Sequence, residues 1–265
     1  MDIKKKLPVA LGLLLAAACA LQAAQFHVPL HMPPHPAFPG GEPAREFYLE
    51  AGAARFISKG INIAGPGACF DLSALGKTGA GAAVRGCGFS LSGRVDPLGL
   101  GRDGGSGFAS ALEADLLWAP RGRDGLKLYA GGLVGMSSLD IRDPLNYTLV
   151  NGKLVVEPDT AFSLLLGLPL GAELPFALSN NWSGAAQADV VLFPAGVTFF
   201  SYLGLPGSEL YGTSRGIDPQ LAGGARAAFF YKPWKLFLEA GGRLYSGGGN
   251  NEAASFVSLL GGIKF

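Results

Sequence analysis

The chain has 265 residues, of which 49% are hydrophobic, 15% are charged and 41 are glycine, and its formal net charge is +1. A soluble chain usually carries about 25% charged residues and about 7% glycine, so the composition disfavours a soluble helical enzyme. A net charge this close to zero argues against a nucleic-acid-binding protein, which needs an excess of basic residues.

The N-terminus predicts a secretory signal. Three lysines, Lys4 to Lys6, precede an apolar run over 7–21 that ends in small residues. This order is typical of cleaved signal peptides, and the run is shorter than the roughly 20 residues of a spanning helix. We predict a signal peptide over 1–24, cleaved after Ala20 or Ala24. A lipoprotein signal with lipidated Cys19 and a short membrane anchor are the alternatives.

A proline-rich segment follows at 25–45 and is predicted to be an extended periplasmic linker. All three histidines, His27, His31 and His35, lie in it four residues apart. On a helix this spacing could hold a metal ion. Because the neighbouring prolines disfavour a helix, a zinc, copper or nickel site is the weaker alternative to a solvated linker. No cofactor is predicted.

Beyond residue 45, no run of 18 apolar residues occurs, but apolar and polar residues alternate over long stretches. In 235–246, for example, Leu236 and Leu238 share one face while Glu239 and Arg243 share the other. Soluble strands average about five or six residues, whereas tilted barrel strands need about nine to eleven. Aromatic residues at the ends of the stretches are typical of a membrane girdle. The pattern predicts an all-β, antiparallel, up-and-down transmembrane β-barrel over 46–265; a secreted β-sandwich is the alternative.

The C-terminus supports the barrel. Val257, Leu259 and Ile263 alternate toward the terminal Phe265. This arrangement resembles the C-terminal signal that outer-membrane barrels present to the barrel assembly machinery. We therefore expect the outer membrane of a diderm bacterium, with outer-membrane lipid and that machinery as partners.

Three segments resemble a known family. The segments 46–52, 221–246 and 255–265 are similar to the first, the sixth and seventh, and the last strands of the OmpW/OprG family of small outer-membrane barrels. The resemblance implies an eight-stranded barrel with a narrow apolar lumen that passes small hydrophobic molecules. The stretch 60–105 and the linker depart from the family pattern.

The strand count follows from the alternation and from parity. Counting back from the C-terminus gives 254–265, 235–246, 221–231, 188–203, 160–174, 126–140 and 106–118. Closed bacterial barrels have an even number of strands, so we predict eight, with 46–58 first and 59–105 as a large loop region. Ten strands, with 80–93 and one near 67–75 added, is the alternative. Outer loops are predicted at 138–159, with a hairpin at Asn151-Gly152, and at 204–220, and a periplasmic turn at 232–235.

Two cysteines are placed to form a disulfide. Cys69 and Cys87 are equidistant from Thr78, which lies in a Gly-Lys-Thr-Gly turn sequence. Opposed positions of a hairpin have this symmetry, and an oxidising compartment permits the bond. We predict a disulfide, with two unpaired thiols as the alternative.

The polar faces of the strands supply candidates for the lumen: Glu113, Asp115, Lys127, Glu173, Arg226, Glu239 and Arg243. Catalysis is not predicted, because enzymes of this membrane recruit a histidine base and no histidine follows His35. Prolines inside strands, Pro169 and Pro194, predict bulges or a lateral opening in the wall.

Two functions remain. Eight strands leave room for side chains or one small ligand, which excludes a general porin. We predict a narrow channel for small hydrophobic molecules. The alternative is a non-conducting structural or adhesive barrel that acts through its extracellular loops. A continuous apolar path through the lumen favours the channel, and a closed charge network favours the alternative.

Overall fold

The computed structural model describes residues 45–95, 104–120, 125–141, 147–150, 153–156, 160–202, 211–247 and 253–265. Its strands are β1 (Arg45–Ser58), β2 (Ile61–Leu75), β3 (Ala80–Val95), β4 (Gly105–Trp118), β5 (Lys127–Ile141), β6 (Tyr147–Val150), β7 (Lys153–Val156), β8 (Thr160–Ala177), β9 (Trp182–Tyr202), β10 (Tyr211–Gly216), β11 (Gln220–Tyr231), β12 (Leu236–Tyr245) and β13 (Ala254–Lys264). The predicted signal peptide, the three histidines and the Asn151-Gly152 turn lie outside the described residues.

Ten of these strands close into an antiparallel barrel in the order β1, β2, β3, β4, β5, β8, β9, β11, β12 and β13. The barrel closes where β13 pairs with β1, from Ser58 opposite Ala254 to Tyr48 opposite Lys264. The short strand β10 extends the wall by pairing with the last part of β9. The pair β6 and β7 forms a separate hairpin.

The ten-strand alternative is confirmed, and the eight-strand prediction is wrong. The first predicted strand is present as β1, but β2 and β3 occupy most of the region predicted as a loop. The outward positions of β2 include Ala64, Pro66 and Ala68, which are small and only weakly hydrophobic. The alternation of hydropathy is therefore weak there, although the alternation of burial is regular.

The two ends of the barrel differ. The start of β1 and the end of β13 lie at one end, which we call the turn end, together with the connections 76–79, 119–126, 178–181 and 232–235. The opposite end, which we call the loop end, carries the connections 96–104 and 142–159. Short turns are periplasmic and long loops are extracellular in bacterial barrels, so the loop end faces outward from the cell.

The outside of the barrel is apolar. Outward side chains such as Leu116 (74% exposed), Leu112 (53%) and Leu170 (58%) are bare of protein contacts over much of their surface. Large apolar residues in a continuous belt of this kind are stable against lipid rather than water. Among the described residues, no helix is long and apolar enough to cross a membrane.

Aromatic side chains border the apolar belt. At the turn end, the rings of Trp182 and Tyr231 lie 4.8 Å apart, and those of Tyr231 and Trp234 lie 5.4 Å apart. At the loop end, Phe162 and Phe199 are exposed neighbours on β8 and β9 with centroids 6.4 Å apart. Such girdles mark the two interfaces of a membrane, so the belt between them faces hydrocarbon.

A charge in the middle of the belt tests lipid exposure. We expect Leu112→Arg on β4 to lower the free energy of unfolding by about 2–4 kcal/mol, the cost of an arginine near the bilayer midplane. Urea titration of the protein folded in vesicles measures this loss. The matched control is Thr78→Arg in the exposed turn 76–79, which should change it little. Equal effects of the two substitutions would contradict the lipid-facing assignment.

The predicted disulfide is confirmed. Cys69 of β2 and Cys87 of β3 are bonded and are direct cross-strand partners around the turn 76–79. Both side chains face the interior and are buried. The disulfide therefore fixes the register of the two strands that were hardest to recognise in the sequence.

Removing the disulfide should lower stability measurably. For Cys69→Ala/Cys87→Ala we expect a loss of about 3 kcal/mol, the chain-entropy value for a closed loop of this length. Urea titration in vesicles compares this variant with the oxidised and the reduced parent protein. The reduced parent should unfold close to the variant, and an unchanged midpoint in both would show that the bond contributes nothing to stability.

Candidate functional site: the barrel interior

The interior is layered, and a small buried cluster that includes Tyr48, Phe230 and Phe237 lies nearest the turn end. Of the two layers above it, the one toward the turn end contains charged side chains, whereas the one toward the loop end is a cluster of buried apolar residues. The strands produce this division because their inward positions change from charged to apolar along the barrel. In β3, for example, Arg85 faces the first layer and Phe89 the second.

Arg85 is the centre of the charged layer. Its Nη2 donates to both carboxylate oxygens of Glu50 at 2.8 Å and lies 3.3 Å from Oε1 of Glu239. The side chains of this group are 0–1% exposed. Since β1, β3 and β12 supply the three residues, these contacts cross the lumen rather than follow the wall.

The network continues from Glu239 to the opposite side of the barrel. Arg226 of β11 donates from Nη1 to Glu239 and from Nε to Oε1 of Gln187, both at 2.8 Å. Gln187 donates to Glu173 at 2.8 Å, and Lys127 donates to the other oxygen of Glu173 at 2.6 Å. The chain of contacts from Glu50 to Lys127 therefore joins seven barrel strands. The contacts of Arg85 cross the lumen, and those from Glu239 to Lys127 run between adjacent strands along the inside of the wall.

A second group lies beside this network. Arg243 of β12 binds Asp189 of β9, with Nη2 at 2.7 Å from Oδ1, and the hydroxyl of Tyr129 lies 3.5 Å from the same carboxylate. Glu113 and Asp115 of β4 are buried, and Glu113 interacts electrostatically with Asp115, Arg243 and Asp189. The two carboxylates are thus part of the interior charge system.

A third group closes the barrel at the turn end. Lys264 of β13 donates to Glu46 of β1 at 2.6 Å, and the hydroxyl of Tyr48 donates to the same carboxylate at 2.7 Å. The Lys264 ammonium also lies 5.6 Å and 5.7 Å from the ring centroids of Tyr48 and Phe230. These contacts link the first and last strands of the barrel.

The apolar layer is packed across the lumen. The rings of Phe89 on β3 and Phe256 on β13 meet edge to face with centroids 5.7 Å apart. Val191 and Leu139, from other parts of the wall, are completely buried in the same cluster. The Cys69–Cys87 disulfide lies in this cluster too, one inward position away from the charged layer.

The structure places all the predicted lumen residues inside the barrel, where they are at most 5% exposed: Glu113, Asp115, Lys127, Glu173, Arg226, Glu239 and Arg243. Sequence reasoning missed Glu50, Arg85 and Asp189. Arg85 was missed because β3 was assigned to a loop. The signal for Glu50 was available, because Glu46, Tyr48 and Glu50 alternate on one face of the first predicted strand.

The two prolines lie where the wall is irregular. The pairing of β8 with β9 shifts register between Leu166 and Leu168, and Pro194 lies in the β9 segment between the two registers. Pro169 pairs with Val191 on β9, while the β5–β8 register has a gap beside it. Pairing resumes on both sides of each irregularity, which is the behaviour of a bulge. A lateral opening at these positions stays a hypothesis.

In the part of the chain that the structure describes, no group of three or more histidine, cysteine, aspartate or glutamate residues is placed to hold a metal ion. The weak histidine candidates, His27, His31 and His35, lie before that part. A metal site at these histidines therefore stays a prediction from the sequence.

No family model matches the chain, and no curated protein matches it either. Among solved structures it is similar to a major outer-membrane protein of Thermus thermophilus, with 16% identity, a TM-score of 0.45 and coverage of 84% of this chain and 100% of that one. It is also similar to the outer-membrane protease OmpT of Escherichia coli, with 9% identity, a TM-score of 0.49 and coverage of 84% and 98%. The Yersinia pestis protein Ail has 11% identity, a TM-score of 0.35 and coverage of 83% and 99%.

The chain is a small outer-membrane β-barrel. Its own geometry carries this assignment: a closed antiparallel sheet, a lipid-facing apolar belt and an aromatic girdle at each end. Each of the ten barrel strands pairs with a strand on either side around the closed sheet, as hydrocarbon requires.

Proposed function

We propose that the protein is a non-conducting outer-membrane barrel whose biological activity is carried by its extracellular loop end. The observation that carries the proposal is the ion-pair network across the lumen, from Glu50 through Arg85 and Glu239 to Arg226 and beyond. A closed charge network was the feature expected of a structural or surface barrel.

The network resists conduction for an energetic reason. A permeating ion, or a row of water molecules passing through the lumen, would have to separate charged side chains that are almost completely buried, such as Arg85 and Glu239. Removing one partner from a buried ion pair costs about 3–5 kcal/mol, because the other charge is left uncompensated. The layer above it is mainly apolar, and its buried hydroxyl groups, such as those of Ser163 and Thr198, which bond each other at 2.8 Å, carry no charge to replace the lost partners.

The loop end is where such a barrel can meet other molecules. The connection 142–159 contains the hairpin of β6 and β7, in which Tyr147 pairs with Val156 at one end and Val150 pairs with Lys153 at the other. This hairpin is separate from the barrel sheet. Loops on a rigid scaffold commonly carry binding functions. This arrangement supports a structural or adhesive role at the cell surface.

Liposome swelling tests the proposal. Liposomes that contain the folded protein should not swell in an isosmotic solution of a small sugar, whereas a general porin in the same lipids should cause rapid swelling. A heat-dependent gel shift shows that the protein is folded. Swelling in proportion to the amount of folded protein would overturn the non-conducting assignment.

A narrow channel for small hydrophobic molecules, as in the OmpW/OprG family, is the second candidate. The apolar upper layer around Phe89 and Phe256 supports it, because such a lining suits an apolar solute. Titration of the detergent-folded protein with naphthalene distinguishes the candidates. The channel requires saturable binding that substitutions in this layer weaken, whereas a packed layer gives only partitioning into the detergent.

A further inference from the structure

The outer face of the wall changes from apolar to polar near the loop end of β1, β2 and β3. The outward residues of β1 are apolar from Leu49 to Ala53, and the next outward residue is Arg55. At the loop end of the neighbouring strands, Asn62 of β2 and Arg94 of β3 are exposed in the same way. We call Arg55, Asn62 and Arg94 the arginine surface.

The three side chains of the arginine surface lie side by side on adjacent strands. Nε of Arg55 donates to Oδ1 of Asn62 at 2.9 Å, which orients the guanidinium group. On its other side, Asn62 is the cross-strand partner of Arg94. With neighbouring strands about 4.8 Å apart and a rise of about 3.3 Å per residue, the two arginine Cα atoms lie on the order of 12 Å apart. Two extended arginine side chains can therefore reach the same phosphate group or two phosphates of one molecule.

The height of the arginine surface matches the edge of the membrane. From Phe47 in the turn-end girdle to Arg55, eight residues of tilted strand rise about 20 Å along the membrane normal. The apolar band of outer-membrane barrels is about 25 Å tall. The Cα of Arg55 is thus expected about 5 Å below the outer edge of the band, from where its long side chain reaches the headgroups of the outer leaflet.

The acidic residues of these three strands lie on the other side of the wall. All three strands are described throughout, and Glu46, Glu50 and Asp71 face the interior. Lys59 in the adjoining turn adds a further exposed cation. The outward face of β1, β2 and β3 therefore carries positive charge, which complements an anion that approaches from the membrane side.

The outward residues beneath the arginines on β1 and β2 are small: Ala51, Ala53, Ala64, Pro66 and Ala68. We call them the alanine surface. Larger exposed side chains lie next to it, Leu259 on β13 and Phe70 farther along β2. Its short side chains allow a hydrocarbon chain to lie close to the wall.

We propose that the arginine surface binds a phosphate-bearing lipid of the outer leaflet. The phosphate oxygens accept hydrogen bonds from the guanidinium groups of Arg55 and Arg94, and an acyl chain lies over the alanine surface. Arginine suits this task because its planar fork donates two hydrogen bonds to one phosphate. The site is independent of the lumen and goes beyond the proposed function of the barrel.

Native mass spectrometry of the full protein in detergent tests the proposal, with lipid A, phosphatidylglycerol, phosphatidylcholine and inorganic phosphate as separate probes. We expect retention of lipid A and phosphatidylglycerol over phosphatidylcholine. For Arg55→Gln/Arg94→Gln, retention should fall about tenfold, as expected for the loss of charge-assisted hydrogen bonds. The heat-dependent gel shift confirms that this variant folds.

Lys77→Gln/Lys235→Gln is the matched control, because it removes the same charge from exposed turns at the other end. It should retain lipid like the parent protein. Equal retention by the arginine variant and the parent would overturn the proposal, as would an equal loss in the control. Binding of inorganic phosphate as tightly as the phospholipids would overturn the lipid assignment in favour of a free anion.

Discussion

Replacement of Arg85 by methionine should destabilise the barrel by about 3–5 kcal/mol, the usual cost of breaking a buried ion pair on one side. Methionine has a similar length but leaves the carboxylates of Glu50 and Glu239 without their shared cation. Urea titration of the protein folded in vesicles measures the change. The exposed Arg45→Met is the matched control and should change the free energy of unfolding little.

A compensating variant separates charge from packing. In Arg85→Met/Glu50→Gln the carboxylate of Glu50 is neutral and Glu239 keeps its ion pair with Arg226, so most of the lost stability should return. If Arg85→Met alone is as stable as the parent, the network does not hold the barrel together. If the double variant is no more stable than Arg85→Met, the loss comes from packing and not from unpaired charge.

Replacement of Phe89 by alanine should also lower the free energy of unfolding by about 3–5 kcal/mol, the range for large-to-small changes in a packed core. Phe89 is completely buried, and its ring packs edge to face on Phe256 across the lumen. Removing it leaves a cavity that the surrounding strands cannot fill, because their positions are fixed by the ladder of hydrogen bonds.

The control for this substitution is Phe108→Ala on the outer face of β4, where the side chain is exposed to lipid. We expect a smaller loss there, because lipid chains fill the space. The same vesicle titration compares the two variants. A Phe108→Ala effect as large as that of Phe89→Ala would contradict the assignment of the packed core to the inside of the barrel.

The sequence predicted most of the wall because large apolar residues alternate with polar ones on most strands. β12 and β13 were recognised within one residue of their observed bounds. β2 was not recognised as a full strand, because the middle of its lipid-facing side consists of Ala64, Pro66 and Ala68 and its inner side contains glycine. The cysteine symmetry around Thr78 was the one strong sign that a hairpin occupied this stretch.

The interior was harder to predict than the wall. Whether a side chain points into the lumen follows from alternation within one strand, so lumen-facing candidates such as Glu239 and Arg226 could be predicted from the sequence. Their partners depend on register and on which strands face each other across the lumen. The contact of Arg85 with Glu239 joins residues far apart in the chain, on strands that are not neighbours. Such pairings need the closed barrel.

Single-channel recording tests the central claim most directly. The full protein, shown to be folded by its heat-dependent gel shift, is added to a planar bilayer alongside a general porin as a positive control. A lumen closed by the ion-pair network predicts insertion without current steps over a wide range of voltage. Small, reproducible current steps that follow each insertion would contradict it and would favour a narrow channel.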